Sequence, residues 1–155
     1  MDRGRPRPYT VKADQPYALE AGQGWTYNQD GVAFTVKAGE LGRGRRLAVV
    51  EYTTRRGEEP PDHTHDTEDE ICYVLAGAAS FRCGDERFEV GEGGFVFLPR
   101  GIEHGYRVRG PEDVRLLAIT SPAREDAVGG WGGFVGDFEA MGELRAAPPG
   151  FEAAE

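Results

Sequence analysis

Long apolar segments are absent from this chain of 155 residues. A transmembrane helix needs about 20 consecutive apolar residues, and no run approaches that length. The first twenty residues also lack the apolar core of a signal peptide. We therefore expect no membrane partner and, by default, a cytoplasmic location.

Positive charge is scarce as well. The sequence has 18 Lys and Arg residues against 27 Asp and Glu residues, which gives a formal net charge of −9. This acidic balance disfavours nucleic acid or an anionic membrane surface as the main partner, because both carry dense negative charge. The arginines within Met1–Pro8 form too short a segment to reverse this, and no helix-turn-helix pattern follows them. We expect a small molecule as the partner.

Glycine and proline, by contrast, are frequent and scattered. The 23 glycines and 10 prolines separate short apolar runs, a pattern typical of short strands joined by turns. The spacing of these runs favours an all-β sandwich or barrel, and 155 residues suit one domain. The predicted strands are Val32–Lys37, Arg46–Thr54, Glu70–Leu75, Ala79–Cys83, Glu86–Val90, Gly94–Leu98, His104–Val108 and Val114–Thr120.

Two short Gly-containing turns predict a meander of three consecutive strands between Glu70 and Val90. The only cysteines, Cys72 and Cys83, then lie on neighbouring strands of one hairpin. In a cytoplasmic chain we interpret them as two buried, reduced thiols.

The two ends of the chain differ from its middle. We divide the sequence into residues 1–16, a flexible arm or an exchanged strand; residues 17–127, the β domain; and residues 128–155, a C-terminal helix and tail. Asp137 is a candidate N-cap for that helix. Its apolar positions recur at three- and four-residue spacing from a phenylalanine just before the helix: Phe134, Phe138, Met141 and Leu144. We expect the helix to dock outside the domain; a lid over a pocket is the less favoured alternative.

The chain has only three histidines, and they are not scattered at random. His63 and His65 are one residue apart, so on a β-strand their imidazoles project from the same face. Glu70 follows, and His104 lies further downstream. Three imidazoles and one carboxylate suit a divalent transition metal and leave coordination positions open for chemistry. Glu68 is the rival carboxylate, but Glu70 stands where the apolar strand begins.

The spacing of these residues along the sequence identifies a protein family more specifically than the residue types do. The pattern G-x5-H-x-H-x4-E-x6-G is met by Gly57, His63, His65, Glu70 and Gly77. The pattern G-x5-P-x-G-x2-H is met by Gly93, Pro99, Gly101 and His104. The chain resembles the cupin superfamily, whose two motifs these are, at nine of ten fixed positions. The exception is Val108, where the second motif ends in Asn.

This resemblance implies a double-stranded β-helix, or jelly-roll barrel, to which the short C-terminal helix is added. It also implies a homodimer as the common assembly, for which the N-terminal segment could supply an exchanged strand. The ligands it implies for one divalent transition metal (Fe, Mn, Ni, Co or Zn) are His63, His65, Glu70 and His104.

The segments Asp69–Leu75 and Gly94–Gly101 look most like those of small single-domain cupins related to quercetin 2,3-dioxygenase. The leading hypothesis is a metal-dependent oxygenase that acts on a small aromatic or enolised metabolite in the barrel, with Glu70 as a candidate catalytic base. A non-redox metal-dependent isomerase, lyase or polyketide-type cyclase is one alternative. A metabolite-binding cupin without catalysis is another, because one fold supports many functions.

Residues that share strand parity with the ligands are expected to line the substrate pocket. They are Cys72 and Val74 after Glu70, and Tyr106 and Val108 after His104. A thiolate ligand from Cys72 is the less favoured alternative to a plain pocket position. Aromatic surface for the pocket or the core is expected from Phe81, Phe88, Phe95 and Phe97.

Overall fold

The computed structural model describes residues 9–11, 16–29, 32–39, 47–121 and 151–153. Within these residues the chain forms eleven β-strands and no helix. In chain order the strands are β1 (Tyr9–Val11), β2 (Trp25–Gln29), β3 (Val32–Gly39), β4 (Ala48–Thr54), β5 (Asp69–Ala76), β6 (Ala78–Cys83), β7 (Glu86–Gly91), β8 (Phe95–Leu98), β9 (His104–Arg109), β10 (Val114–Ser121) and β11 (Phe151–Ala153).

Nine of these strands form two antiparallel sheets. The larger sheet has the order β2-β3-β4-β10-β5-β8, and the smaller has the order β7-β6-β9. Strands that are distant in sequence, such as β4, β10 and β5, lie side by side, as jelly-roll folds require. The prediction of an all-β jelly-roll barrel is confirmed. All eight predicted strands are present with ends shifted by at most two residues, whereas β2 and β11 were not predicted and β1 lies in the segment expected to be a flexible arm or an exchanged strand.

The predicted three-stranded meander is wrong. β5 pairs with β10 and β8 in the larger sheet, while β6 pairs with β7 and β9 in the smaller one. The chain changes sheets at Gly77, which has φ 76°. A Cβ on this residue would lie 2.4 Å from the carbonyl oxygen of Asp113, so only glycine fits the crossing.

The hydrophobic core lies between the two sheets. Phe81 of the smaller sheet and Leu116 of the larger sheet belong to one buried cluster, and both are fully buried. Burial of each such side chain contributes about 1.5–3 kcal/mol to stability. Cys72 and Cys83 also belong to this cluster and are free thiols. They lie in different sheets and not on one hairpin, because β5 and β6 do not pair.

The aromatic residues of β7 and β8 face outward. Phe88, Phe95 and Phe97 have exposed fractions of 38%, 57% and 48%. On β8 it is Val96 and Leu98 that point into the core, so the phenylalanines between and before them point away from it. Of the four predicted aromatic residues, Phe81 alone is buried in the core.

The two ends of the described chain meet. β1 pairs with β11 in an antiparallel ladder that places Tyr9 opposite Ala153. The predicted helix that begins near Phe138 lies outside the described residues. No helix long and apolar enough to span a membrane occurs in the part of the chain that the structure describes.

Candidate metal centre

Two segments distant in sequence bring the histidines together. His63 lies in the connection between β4 and β5 and forms an isolated antiparallel bridge with His104, the first residue of β9. Each of the two residues donates its backbone N–H to the carbonyl oxygen of the other over 2.9 Å. This pair of hydrogen bonds fixes the relative position of the two imidazoles.

A tight turn fixes the third histidine. Gly101 closes the turn after Pro99 with φ 79°, and its N–H donates to the carbonyl oxygen of His65 over 2.8 Å. Glu70 enters from β5, where it lies opposite Leu98 of β8. All four predicted ligands are thus held by backbone hydrogen bonds near one end of the barrel.

The four side chains form one compact group. Each offers a ligand atom, and these atoms all lie within 4.8 Å of one another. Oε2 of Glu70 is 3.2 Å from Nε2 of His65 and 3.0 Å from Nε2 of His104. His65, Glu70 and His104 are buried, and His63 is half-buried.

Polar atoms in this group lack ordinary partners. Glu70 Oε2 and His104 Nε2 are buried, and neither makes a hydrogen bond of normal geometry with any described residue. A buried polar atom left in this state costs about 1–3 kcal/mol. A cation among the four ligand atoms would compensate that cost, and imidazole with carboxylate is a donor set for transition metals. The residues therefore fit a metal ion.

Backbone carbonyl groups set the orientation of two imidazoles. Nδ1 of His63 lies 2.9 Å from the carbonyl oxygen of Pro61, and Nδ1 of His104 lies 3.2 Å from that of Ile102. A carbonyl oxygen only accepts hydrogen bonds, so Nδ1 is the nitrogen that carries hydrogen in both rings. The lone pair of Nε2 is then available to a metal.

The rival carboxylate, Glu68, lies on the other side of His65. Its exposed fraction is 2%, and its Oε1 is 3.1 Å from Nδ1 of His65. Glu70 contacts Nε2 of the same ring. The sequence-based preference for Glu70 over Glu68 as a member of the four-residue group therefore agrees with the geometry. Glu68 is not a member of this group but contacts His65.

The electrostatics of the group favour a charged carboxylate. Burial opposes ionisation of Glu70, but its contacts with His104 and His65 outweigh burial and lower the pKa of Glu70 to about 2. Burial likewise lowers the pKa of His104, but the Glu70 carboxylate outweighs this and raises it. The pKa of His63 is lowered, chiefly by burial. His63 is therefore more readily available than His104 in the neutral form that binds metals.

A cavity of about 630 Å³ opens beside the four ligands. Its walls are mainly apolar, with a few hydroxyl groups. The wall residues other than the ligands include Val32, Phe34, Tyr52, Thr54, Cys72, Phe81, Leu98 and Tyr106.

Hydroxyl groups form a buried polar part of these walls. The hydroxyls of Thr54 and Tyr106 are 2.7 Å apart and hydrogen-bonded, and Tyr52 lies beside Tyr106. Burial raises the pKa of Tyr52 and of Tyr106, so both phenols stay protonated. Sequence reasoning missed Tyr52 and Thr54, although they follow Val50 at every second position of β4 and so share its inward face.

Two of the four predicted pocket residues lie elsewhere. Cys72 and Tyr106 line the cavity, whereas Val74 and Val108 are packed in the hydrophobic core and are not among its lining residues. Both side chains point inward, as strand parity predicts. They lie two residues beyond Cys72 on β5 and Tyr106 on β9, and so further from the candidate ligands. The backbone N–H of Val108 donates a hydrogen bond to Oε1 of Glu59 over 3.2 Å.

Cys72 is a wall residue and not a member of the ligand group. Its Sγ is 3.9 Å from Oε1 of Glu70, and burial together with the Glu70 charge raises its pKa well above the usual value. The four residues whose ligand atoms lie within 4.8 Å of one another do not include Cys72. The alternative of a thiolate ligand therefore finds no support here.

An ion-pair network supports the histidine segments from outside. Nη2 of Arg82 is 2.7 Å from Oδ2 of Asp62 and 2.7 Å from Oε1 of Glu103, the residues that precede His63 and His104. Gly105 leaves space for Asp62, because a Cβ on Gly105 would lie 1.8 Å from Asp62 Oδ1. Arg82 thereby ties the two histidine-bearing segments to β6.

Comparison with known proteins agrees with this geometry. The family model for the Cupin domain matches residues 50–120, which include all four candidate ligands. The uncharacterised protein SCO3923 of Streptomyces coelicolor is 31% identical over 80 residues, which cover 52% of this chain and 74% of that protein. This chain belongs to the cupin family.

Two further proteins are similar to this chain, one in sequence and one in fold. The quercetin 2,3-dioxygenase of Bacillus subtilis is 28% identical over 109 residues, or 70% of this chain, but the match spans only 32% of that enzyme. KdgF from a Halomonas species superposes with a TM-score of 0.60 and 22% identity, over 72% of this chain and 97% of that protein. The second comparison shows the shared fold, and the first is a distant sequence relationship to a dioxygenase.

Proposed function

We propose that this cupin is a metal-dependent oxygenase that acts on a small aromatic or enolised metabolite. The observation that carries the proposal is a group of three imidazoles and one carboxylate that opens onto a mainly apolar cavity of about 630 Å³. A divalent transition metal held by His63, His65, Glu70 and His104 would supply a Lewis acid with open coordination positions and, for a redox-active ion, electron transfer. The distant relationship to quercetin 2,3-dioxygenase supports this choice of chemistry.

The cavity suits a compact organic substrate. Its volume lies within the range of about 300–1,000 Å³ that is typical of small-molecule sites. Phe34, Phe81 and Leu98 provide apolar surface against which a planar ring can pack. A substrate packed against these walls would displace water, which would strengthen electrostatic contacts inside the cavity.

The hydroxyl groups give that substrate an orientation. Tyr52 and Tyr106 are protonated phenols, and Thr54 is hydrogen-bonded to Tyr106. An enolate or phenolate oxygen is a strong acceptor for such donors. We propose that these hydroxyls bind a substrate oxygen at the wall of the cavity, while the apolar part of the substrate occupies the remaining space.

Glu70 is proposed to have a second role as the acceptor of the substrate's hydroxyl proton. The contacts that lower its pKa to about 2 favour ligation over proton uptake. A base role therefore requires Glu70 to release at least one of its two imidazole contacts during the reaction. Full turnover of a Glu70→Gln variant with its metal intact would refute this role.

Oxygen consumption tests the proposed reaction. The protein would be loaded anaerobically with Fe²⁺, Mn²⁺, Ni²⁺, Co²⁺ or Zn²⁺ in separate samples, then given flavonols, catechols and 1,3-diketones in an oxygen electrode. We expect one redox-active metal to support consumption of one O₂ per substrate, with both atoms of ¹⁸O₂ found in the product. The His104→Ala variant should be inactive, whereas Asp66→Asn, which changes an exposed carboxylate that does not line the cavity, should remain active.

Other outcomes of the same experiment reject the oxygenase. Turnover without oxygen consumption, equally fast with Zn²⁺, would identify a non-redox isomerase, lyase or cyclase. Tight binding of a compound without any turnover would identify a metabolite-binding cupin.

A further inference from the structure

We propose that Glu68 is a positioning residue that holds the imidazole of His65 in the tautomer and orientation needed for metal binding. The proposal rests on the metal-binding part of the proposed function and is independent of the reaction catalysed. It assigns a role to the buried Glu68 carboxylate, which is not one of the four candidate metal ligands.

The three imidazoles are oriented by different acceptors. Nδ1 of His63 and Nδ1 of His104 each face the backbone carbonyl two residues earlier in the chain. The corresponding carbonyl for His65 belongs to His63; it accepts the N–H of His104 over 2.9 Å, and Nδ1 of His65 makes no hydrogen bond to it. His65 therefore depends on a side chain, and the acceptor in reach is Oε1 of Glu68 at 3.1 Å.

The burial of Glu68 indicates that its position is specific. Asp66 and Thr67, its neighbours in the polar connection before β5, are exposed, whereas only 2% of Glu68 is exposed. A carboxylate is costly to bury unless polar partners surround it. Thr67 Oγ1 donates to Oε2 of Glu68 over 2.6 Å, which leaves Oε1 directed at His65.

The nitrogen that Glu68 faces has no other partner. His65 Nδ1 is buried and makes no hydrogen bond of normal geometry within the described ranges of the chain, and Oε1 of Glu68 lies 3.1 Å from it. With hydrogen on Nδ1, the lone pair of Nε2 points to the same side as Glu70. A charged acceptor also makes the imidazole a stronger ligand than a carbonyl acceptor does.

Zn²⁺ affinity, measured by competition with a chromophoric chelator, tests the proposal. We expect Glu68→Met to raise the Kd for Zn²⁺ by about 10- to 100-fold, the usual effect of removing such a partner. Glu68→Gln keeps the shape and an acceptor oxygen but not the charge, so its effect should be smaller. Asp66→Asn, the matched control, removes the same charge from an exposed neighbour and should change the Kd by less than about twofold.

A double-mutant cycle separates positioning from a general structural role. In a His65→Ala background, Glu68→Met should have no further effect on the Kd, because its action passes through the missing imidazole. In Zn²⁺-loaded, ¹⁵N-labelled protein, the Nδ1–H of His65 should be visible by NMR and exchange slowly in the wild type. It should exchange faster in Glu68→Met.

Two results would overturn the proposal, and they differ from failure of the metal site itself. Equal Zn²⁺ affinities for wild type, Glu68→Gln and Glu68→Met would leave metal binding intact and reject the role of Glu68. An undiminished effect of Glu68→Met in the His65→Ala background would do the same. No Zn²⁺ binding by the wild type would instead reject the metal site and, with it, any positioning role.

Discussion

Gly105 is a position where one methyl group should disturb both the fold and the metal site. It follows His104 in β9, and its backbone lies opposite Arg82 of β6. A Cβ at this position would lie 1.8 Å from Oδ1 and 2.6 Å from Cγ of Asp62. In Gly105→Ala, Asp62 must therefore leave its place, and with it the contact that ties the His63 segment to Arg82.

The size of the effect follows from two contributions. Forcing a methyl group into a filled space costs at most about 1–3 kcal/mol here, because the obstructing atoms are the end of a partly exposed side chain that can move. Loss of the partly exposed Asp62–Arg82 pair adds about 0.2–1 kcal/mol. Each kcal/mol lowers the Tm of a domain of this size by about 2–4 °C. Zn²⁺ affinity should fall as well, because His63 follows the displaced Asp62 directly.

A second substitution decides whether this clash is the cause. Asp62→Ala removes the two atoms that a Cβ on Gly105 would meet, and the next nearest atom, Cα of Asp62, is 3.3 Å away. Thermal and urea unfolding should show that Gly105→Ala adds almost nothing to Asp62→Ala, which by itself loses the ion pairs of Asp62 with Arg82 and Arg107. If the two substitutions instead destabilise the protein additively, the clash with Asp62 does not explain the cost at Gly105.

Three further predictions concern the metal-free protein. In Glu70→Gln the pKa of His104 should fall, because the Glu70 carboxylate is the main group that raises it against burial; an unchanged value in an NMR titration of the imidazole would contradict the assignment. The pKa of Glu70 falls from 4.5 in a free carboxyl to about 2 in the fold. As the pH is lowered, the Glu70 carboxylate is therefore protonated in the unfolded chain before it is protonated in the folded protein. The stability that Glu70 gives above about pH 4.5 should thus be lost between pH 4.5 and 2. Urea unfolding across that range should show this loss in the wild type and less of it in Glu70→Gln. Burial raises the pKa of both Cys72 and Cys83, so two thiols should react with a thiol reagent only after denaturation; rapid reaction of the native protein would contradict the buried positions.

Much of the candidate site could be predicted because its signals are local. The spacing His63–His65 and the apolar start of β5 at Glu70 select the ligands, and the turn before His104 brings the last one back. Strand parity also identified the inward face correctly at Cys72 and Tyr106.

Other features depend on contacts between distant parts of the chain. The single residue Gly77 between β5 and β6 fits a hairpin as well as a change of sheet, and only the pairing of β5 with β8 and β10 decides between them. Parity places Val74 on the inward face but does not say how far from the ligands it lies along the barrel. The polar connection before β5 breaks strand parity, so the sequence could not show that Glu68 faces the opposite nitrogen of His65 from Glu70.

Metal content decides whether the four-residue group is a metal site. Elemental analysis by mass spectrometry would be made on protein purified without added metal and without a polyhistidine tag. We expect about one equivalent of a single divalent transition metal per chain, lost in His104→Ala and retained in Asp66→Asn. Wild-type protein that contains no metal, and that takes up none of the five candidate ions after dialysis, would contradict the account.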